Sequence, residues 1–209
     1  MLPLELYGRT MGVYRPRCQS LTHQIKNTPL RNAGPIVCFG DSLTAGYGVP
    51  AALSYPAQLA QLLKLDSSLV INLGKSGETA ADGLKRLDKD VLSLDPLPRI
   101  VIVGFGGNDL MQRRAAVDVF NDLAQIIDKL HGAGCAVILM GLRGSWLYKV
   151  DYETPFYELA MKKQCGLVPL CLDGIWGWPW RMADAAHPNG RGYKLLAQRV
   201  AAVIRPVLR

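Results

Sequence analysis

Histidine is scarce in this sequence, cysteine follows no pairing pattern, and long apolar runs are missing. Each shortage removes a class of protein. With only three histidines in 209 residues, His23, His131 and His187, a two-metal hydrolytic centre has too few of its usual ligands. The five cysteines, Cys18, Cys38, Cys135, Cys165 and Cys171, are odd in number and include no C-x-x-C pair. That argues against a disulfide framework and a zinc site alike. Cys38 lies inside an apolar run and Cys135 opens another, so both read as small core residues. No stretch reaches the length of a membrane span, so stable membrane insertion is not expected. Residues 1–34 hold no apolar run of signal-peptide length, which makes a cytoplasmic protein the expectation from sequence. A basic helix interleaved with aromatics is also missing, so no nucleic-acid partner is expected.

What is present describes one ordinary globular domain: 49% hydrophobic and 20% charged residues, with enough chain to bury a sizeable core. The net charge of +7 is unevenly spread. Residues 1–34 carry five Lys/Arg against Glu5, and residues 181–209 carry six against Asp184, which leaves thirteen against fifteen acidic residues between them. Basic ends favour weak contact with anionic surfaces or simply keep a protein soluble, and the second is the plainer reading. The expected organisation is a basic N-terminal extension over 1–34 without regular structure, followed by a domain over 35–209.

Beyond residue 34, short β-branched runs alternate with amphipathic segments, the pattern of parallel strands joined by helices. Strands are predicted at Ile36–Gly40, Leu69–Leu73, Ile100–Phe105, Ala136–Met140 and Leu167–Leu170. Leu84, Leu87, Val91 and Leu94 recur at helical spacing, with Lys85, Arg86, Asp88 and Lys89 assigned to the opposite side. Phe120, Leu123, Ile127 and Leu130 repeat the pattern, and a last helix runs from about Gly190 to Val207. The fold class predicted is α/β: a doubly wound, three-layer α/β/α arrangement around a mainly parallel five-stranded sheet.

In such sheets ligands sit beyond the carboxyl ends of the strands. Ser42 follows the first strand, Gly77 the second, and Gly106-Gly107-Asn108-Asp109 the third, so three loops open on one edge. A serine hydroxyl is a poor nucleophile until an imidazole takes its proton and a carboxylate orients that imidazole. Asp184-Ala185-Ala186-His187-Pro188 supplies both partners for Ser42: Asp184 can turn back to the imidazole Nδ1–H and leave Nε2 for the hydroxyl. Donors for a developing oxyanion are the Ser42 N–H, the Gly77 N–H and the Asn108 amide. Gly77 precedes Thr79-Ala80-Ala81-Asp82, which reads as a capping box opening the next helix.

Gly40-Asp41-Ser42-Leu43, the Gly77 loop, Gly106-x-Asn108-Asp109 and Asp184-x-x-His187 resemble, in order, the four blocks of the SGNH (GDSL) hydrolases. The resemblance covers about residues 35–207. The strings FGDSLTAGYG, NLGKSGET and DAAHPNGRGY are most similar to the bacterial arylesterase and acyl-CoA thioesterase/lysophospholipase branch. It implies a flavodoxin-like SGNH hydrolase fold and a serine esterase without cofactor or metal. Its substrates would be short- to medium-chain acyl or aryl esters, with thioesters and lysophospholipids as further classes. Ser42 would be the nucleophile, His187 the acid/base and Asp184 its orienting carboxylate, with Ser42, Gly77 and Asn108 as oxyanion donors. Relatives that begin with an export signal make a periplasmic or secreted location the family's alternative.

Competing readings attach to several residues. Asp41 reads as structural, Asp109 as loop structure or a helix cap, and His23 and His131 as structural. A carbohydrate O-deacetylase would use the same machinery. A metal-dependent phosphoesterase would recruit Asp41, Asn108, Asp109, Asp184 and His187. An inactive, ligand-binding member of the fold would rest on the tryptophans. Trp176, Trp178 and Trp180 either wall an acyl pocket or cover the core or an oligomer contact, and the two readings stand equal, as they do for Trp146 and Tyr148.

Overall fold

Val, Ile and Leu fill five short strands whose side chains are buried on both faces, which is why each reads as a near-continuous apolar run rather than an alternating one. The computed structural model describes residues 34–145 and 150–208. The expected N-terminal extension, with Cys18 and His23, and also Trp146 and Tyr148, lie outside the described residues.

The elements follow in the order β1 (Ile36–Gly40), α1 (Ser42–Ala45), α2 (Tyr55–Leu63), β2 (Val70–Gly74), α3 (Ala80–Leu87) and β3 (Ile100–Gly104). They continue with α4 (Gly107–Met111), α5 (Ala116–Gly132), β4 (Ala136–Met140), β5 (Gly144–Ser145), β6 (Val150–Asp151), α6 (Glu153–Lys163), β7 (Gly166–Val168) and α7 (Gly190–Ile204). The central sheet runs β2-β1-β3-β4-β7, all parallel. That is the doubly wound order in which the chain reverses direction between β1 and β3, and the crevice at this reversal is where ligands bind. The predicted fold class therefore holds. The antiparallel pair β5 and β6 is an addition the sequence did not announce.

Two cores form, one per face. Val37, Phe39, Val101 and Val103 point with α3, α5 and α6 into the first. Ile36, Cys38, Ile100 and Ile102 point with α2 and α7 into the second. Each fully buried Val, Ile or Leu contributes roughly 1.5–3 kcal/mol relative to exposure. Cys38, Cys135, Cys165 and Cys171 are buried free thiols, and burial pushes Cys38, Cys165 and Cys171 up to about 12. They pack as small apolar residues.

Several expectations change in detail. Helices α2 and α6 were not anticipated. The last strand was expected over Leu167–Leu170 but ends at Val168: Pro169 has no N–H to give a ladder, and Leu170 turns to φ 44°. Arg86 was assigned to the solvent side of α3 and is buried instead. Its Nη2 donates to the Gly40 carbonyl at 3.2 Å and the Leu73 carbonyl at 2.9 Å, at the ends of β1 and β2. Nε meets Glu78 at 2.5 Å, Nη1 meets Asp90 at 3.1 Å, and the guanidinium lies 4.3 Å from the Phe39 ring centre. A guanidinium carries enough donors to satisfy all of these groups at once.

Arg86→Ala should therefore behave as the loss of a buried ion-pair partner, lowering the unfolding free energy by about 3 kcal/mol in urea titration. A loss below ~1 kcal/mol, the range of an exposed pair, would return Arg86 to the surface role.

Candidate active site

β1 ends on Gly40, and the chain turns at once into α1, so Ser42 stands at the first position of a short helix on the sheet's carboxyl edge. Asp41 caps that turn: its Oδ1 accepts the Leu43 N–H at 3.0 Å, and its own N–H donates to the Gly104 carbonyl of β3 at 3.2 Å. First-turn amides have no intrahelical acceptor, and among the described residues the Ser42 N–H has no partner. Space here is tight. A Cβ on Gly40 would meet the Gly104 carbonyl oxygen at 2.5 Å, and one on Gly74 would meet the Ala45 nitrogen at 2.1 Å. Only glycine lets the Ser42 turn lie this close to β2 and β3.

At the other end of the chain, the 181–189 segment folds into a tight loop. The Ala183 N–H donates to the His187 carbonyl at 2.8 Å, and the Asn189 N–H to the Arg181 carbonyl at 2.9 Å. Asp184 Oδ1 accepts the backbone N–H groups of Ala186 and His187 at 2.8 and 2.7 Å, an Asx turn that fixes the carboxylate. His187 Nδ1 lies 3.0 and 2.9 Å from the two carboxylate oxygens, and Nε2 lies 3.0 Å from Ser42 Oγ. The Ala186 amide first, then the His187 ring, hold Asp184 down to about 2. Tyr47 covers the imidazole, ring centres 4.5 Å apart.

The oxyanion candidates border the same cavity. Gly77, at φ 85°, lies in the loop before α3, and its N–H has no acceptor among the described residues. The predicted capping box is present: Thr79 Oγ1 accepts the Asp82 N–H at 3.3 Å, and Asp82 Oδ2 accepts the Thr79 N–H at 3.2 Å. Asn108 Nδ2 donates to the Glu78 carbonyl at 2.8 Å, which ties its loop to Gly77's and leaves a second amide hydrogen. Asp109 turns away from the cavity. Fully buried, it accepts the Ala80 N–H at 3.0 Å and pairs with Arg114, so it joins the starts of α3 and α4.

Ser42, Gly77, Asn108 and His187 line one cavity of about 470 Å³, walled by Leu43, Tyr47, Leu110, Met111, Leu142, Leu172 and Trp176. Few polar groups among many apolar ones is the composition of a small-molecule site. A family model for the GDSL-like lipase/acylhydrolase family matches residues 38–195, which spans the whole of this geometry. The chain belongs to that family.

Two curated relatives and a solved structure place this GDSL-like acylhydrolase further. The arylesterase of Vibrio mimicus is 31% identical over 173 residues, covering 79% of this chain and 86% of the relative. The thioesterase 1/protease 1/lysophospholipase L1 of Escherichia coli is 30% identical over 181 residues, covering 84% and 86%. The crystal structure of AlinE4, an SGNH-hydrolase family esterase, superposes with a TM-score of 0.65 at 32% identity, covering 86% of this chain and 98% of the other.

In this acylhydrolase the tryptophans divide. Trp176 lines the cavity, its Nε1 donating to the Ala185 carbonyl at 3.0 Å, beside the Asp184 turn. Trp178 and Trp180 pack on each other outside it, ring centres 4.8 Å apart. His131 sits far away at the end of α5, its pKa lowered by burial. Sequence reasoning missed Tyr47, although it lies in the same FGDSLTAGYG string as Ser42. It also missed the joining role of Asp109, which adjacency to Asn108 could have signalled. Among the described residues no three His, Cys, Asp or Glu side chains converge as metal ligands.

Burial, against the pull of the Leu43 amide, raises Asp41 from 3.8 to about 7. A carboxyl whose pKa is raised on folding binds more protons folded than unfolded, so it costs stability as pH rises through that window. Asp41→Asn removes this cost while keeping an oxygen for the Leu43 N–H. Relative to the unmodified protein, the variant should gain roughly 1.4 kcal/mol per pH unit crossed between those limits, read by urea unfolding at acidic and alkaline pH. A difference independent of pH would show that folding does not raise Asp41.

Proposed function

We propose that this carboxylic ester hydrolase works through a covalent acyl-enzyme on Ser42, with His187 as acid/base and Asp184 as its orienting carboxylate. The observation that carries the reading is the unbroken chain from Asp184 through both imidazole nitrogens to Ser42 Oγ, with links of 2.9 and 3.0 Å. The carboxylate fixes the tautomer that places the Nδ1 hydrogen toward Asp184 and presents an Nε2 lone pair to the hydroxyl.

Ser42 Oγ attacks the substrate carbonyl as its proton passes to His187 Nε2. The oxygen that becomes negative is met by the Ser42 N–H, the Gly77 N–H and the Asn108 amide. These donors are held in place before reaction and need no rearrangement as charge develops. The intermediate collapses, and the departing alkoxide, aryloxide or thiolate takes the proton from Nε2. Water then attacks the acyl-serine, His187 accepts its proton, and Nε2 returns a proton to Ser42 Oγ as the acid leaves. The apolar wall of the cavity suits a short- to medium-chain acyl group. The names of the relatives, an arylesterase and a thioesterase/lysophospholipase, favour aryl esters and thioesters among its substrates. Pairing of Asp109 with Arg114 and α3 leaves it no part in the phosphoesterase alternative.

Ser42→Ala should reduce kcat for p-nitrophenyl butyrate by roughly 10³-fold or more, while Asn108→Ala should reduce it by ~10²–10³. Full activity of purified Ser42→Ala would end the proposal. The pH profile supplies an independent check. Asp184, held down to about 2 by the Ala186 amide and then the His187 ring, keeps its charge well into acid, so its carboxylate orients the imidazole at any working pH and is lost only as pH falls through about 2. Activity must then fall on acidification because His187 takes up a proton and can no longer accept one from Ser42. An acid limb that appears only near pH 2, where Asp184 itself takes up a proton, would contradict that role.

A further inference from the structure

Among the described residues, most large exposed hydrophobic side chains are not scattered. Eight stand out among the described residues, and Tyr47, Met111 and Trp176 of them line the cavity. Trp178 and Trp180 belong to the same 171–184 segment as Trp176, 44% and 53% exposed. Leu53 packs against Gly190, at the start of α7. Six of the eight thus lie on the cavity wall or against the chain that flanks His187, through Asn189 and Gly190. Exposed apolar side chains grouped in this way mark an interaction surface rather than ordinary exposed area.

Trp178 and Trp180 add chemistry to the patch. Their indole N–H groups have no acceptor among the described residues, and paired indoles with a free polar edge suit a boundary that is apolar on one side and wet on the other. Charge lies next to them. Asn189 caps α7 and donates to the Trp180 carbonyl at 3.0 Å. Two residues on comes Arg191, then Lys194 one turn later, both exposed and both without an ion-pair partner among the described residues. Over 181–209 six Lys/Arg face Asp184 alone.

We propose that this rim docks on the surface of an anionic phospholipid bilayer, with Trp178 and Trp180 at headgroup depth and Arg191 and Lys194 against lipid phosphates. Basic charge beside interfacial aromatics is the combination that binds anionic membranes reversibly without spanning them. The cavity then opens toward the bilayer, so an acyl chain leaving the lipid reaches Ser42 without crossing water. Only this last step rests on the proposed esterase chemistry. Docking itself does not.

The test is co-sedimentation of the full chain with vesicles of mixed phosphatidylcholine and phosphatidylglycerol, against phosphatidylcholine alone, alongside hydrolysis of soluble p-nitrophenyl butyrate. Partitioning should favour the anionic vesicles and weaken with salt. Trp178→Ala/Trp180→Ala and, separately, Arg191→Glu/Lys194→Glu should each lower it by ~tenfold while soluble-ester turnover stays unchanged, which also reports correct folding. Vesicle binding equal in both variants and the unmodified protein would assign it to other basic segments and overturn the proposal. So would no partitioning at all, or a tryptophan variant that only converts a dimer to a monomer in light scattering. Loss of soluble-ester turnover in the unmodified protein would instead count against the esterase mechanism and leave the docking result standing.

Discussion

Gly40, Gly74 and Gly104 lie side by side in register at the carboxyl edge of the sheet, and the site depends on there being no side chain at this row. The turn carrying Ser42 folds back until its backbone touches the ends of both neighbouring strands. Any Cβ on Gly40 or Gly74 would fall within 2.5 Å of an oxygen or nitrogen already there. Close approach brings three loops together: those after β1, β2 and β3. It also puts Ser42 on the same cavity wall as Gly77 and Asn108.

Buried charge then locks what the glycines permit. Arg86 holds the last carbonyls of β1 and β2 from one side, and Asp109 joins the first turns of α3 and α4 from another. Neither touches the cavity's chemistry. Each satisfies backbone groups that burial would otherwise leave unpaired at several kcal/mol. The His187 loop needs no such support, because Asp184 folds it locally by accepting two of its amides while orienting the imidazole. One carboxylate therefore both shapes the loop and directs its histidine. The Ala186 amide and then the His187 ring keep Asp184 ionised, whereas burial raises Asp41, and the two carboxyls near Ser42 are kept apart in role.

Much of this was legible in the residues. β1 and β4 have the predicted bounds because both are purely apolar and end at glycine or an adjoining turn. Thr79 and Asp82 form the expected box; Ser42, Gly77 and Asn108, read from strand ends, border one cavity with His187, which Asp184 bonds. What stayed hidden depends on packing. α2 begins Tyr55-Pro56 and carries Gln58 inward, where its amide bonds the Leu53 and Gly190 carbonyls, so its apolar stripe is broken in sequence. α6 has only Phe156, Leu159 and Ala160 buried among its eleven residues, too faint a stripe to read. Arg86 looked like a surface cation because its partners, the ends of two strands, are 13 and 46 residues away. Sequence spacing carries no signal for such a pairing.

The central claim is that Ser42 alone becomes acylated and that His187 makes it do so. Labelling the full chain with a fluorophosphonate and mapping the adduct by peptide mass spectrometry tests this most directly. One stoichiometric adduct on the Ser42 peptide, formed far more slowly in His187→Ala, is the predicted result. An adduct on another residue, or full esterase turnover with Ser42 unlabelled, would contradict it.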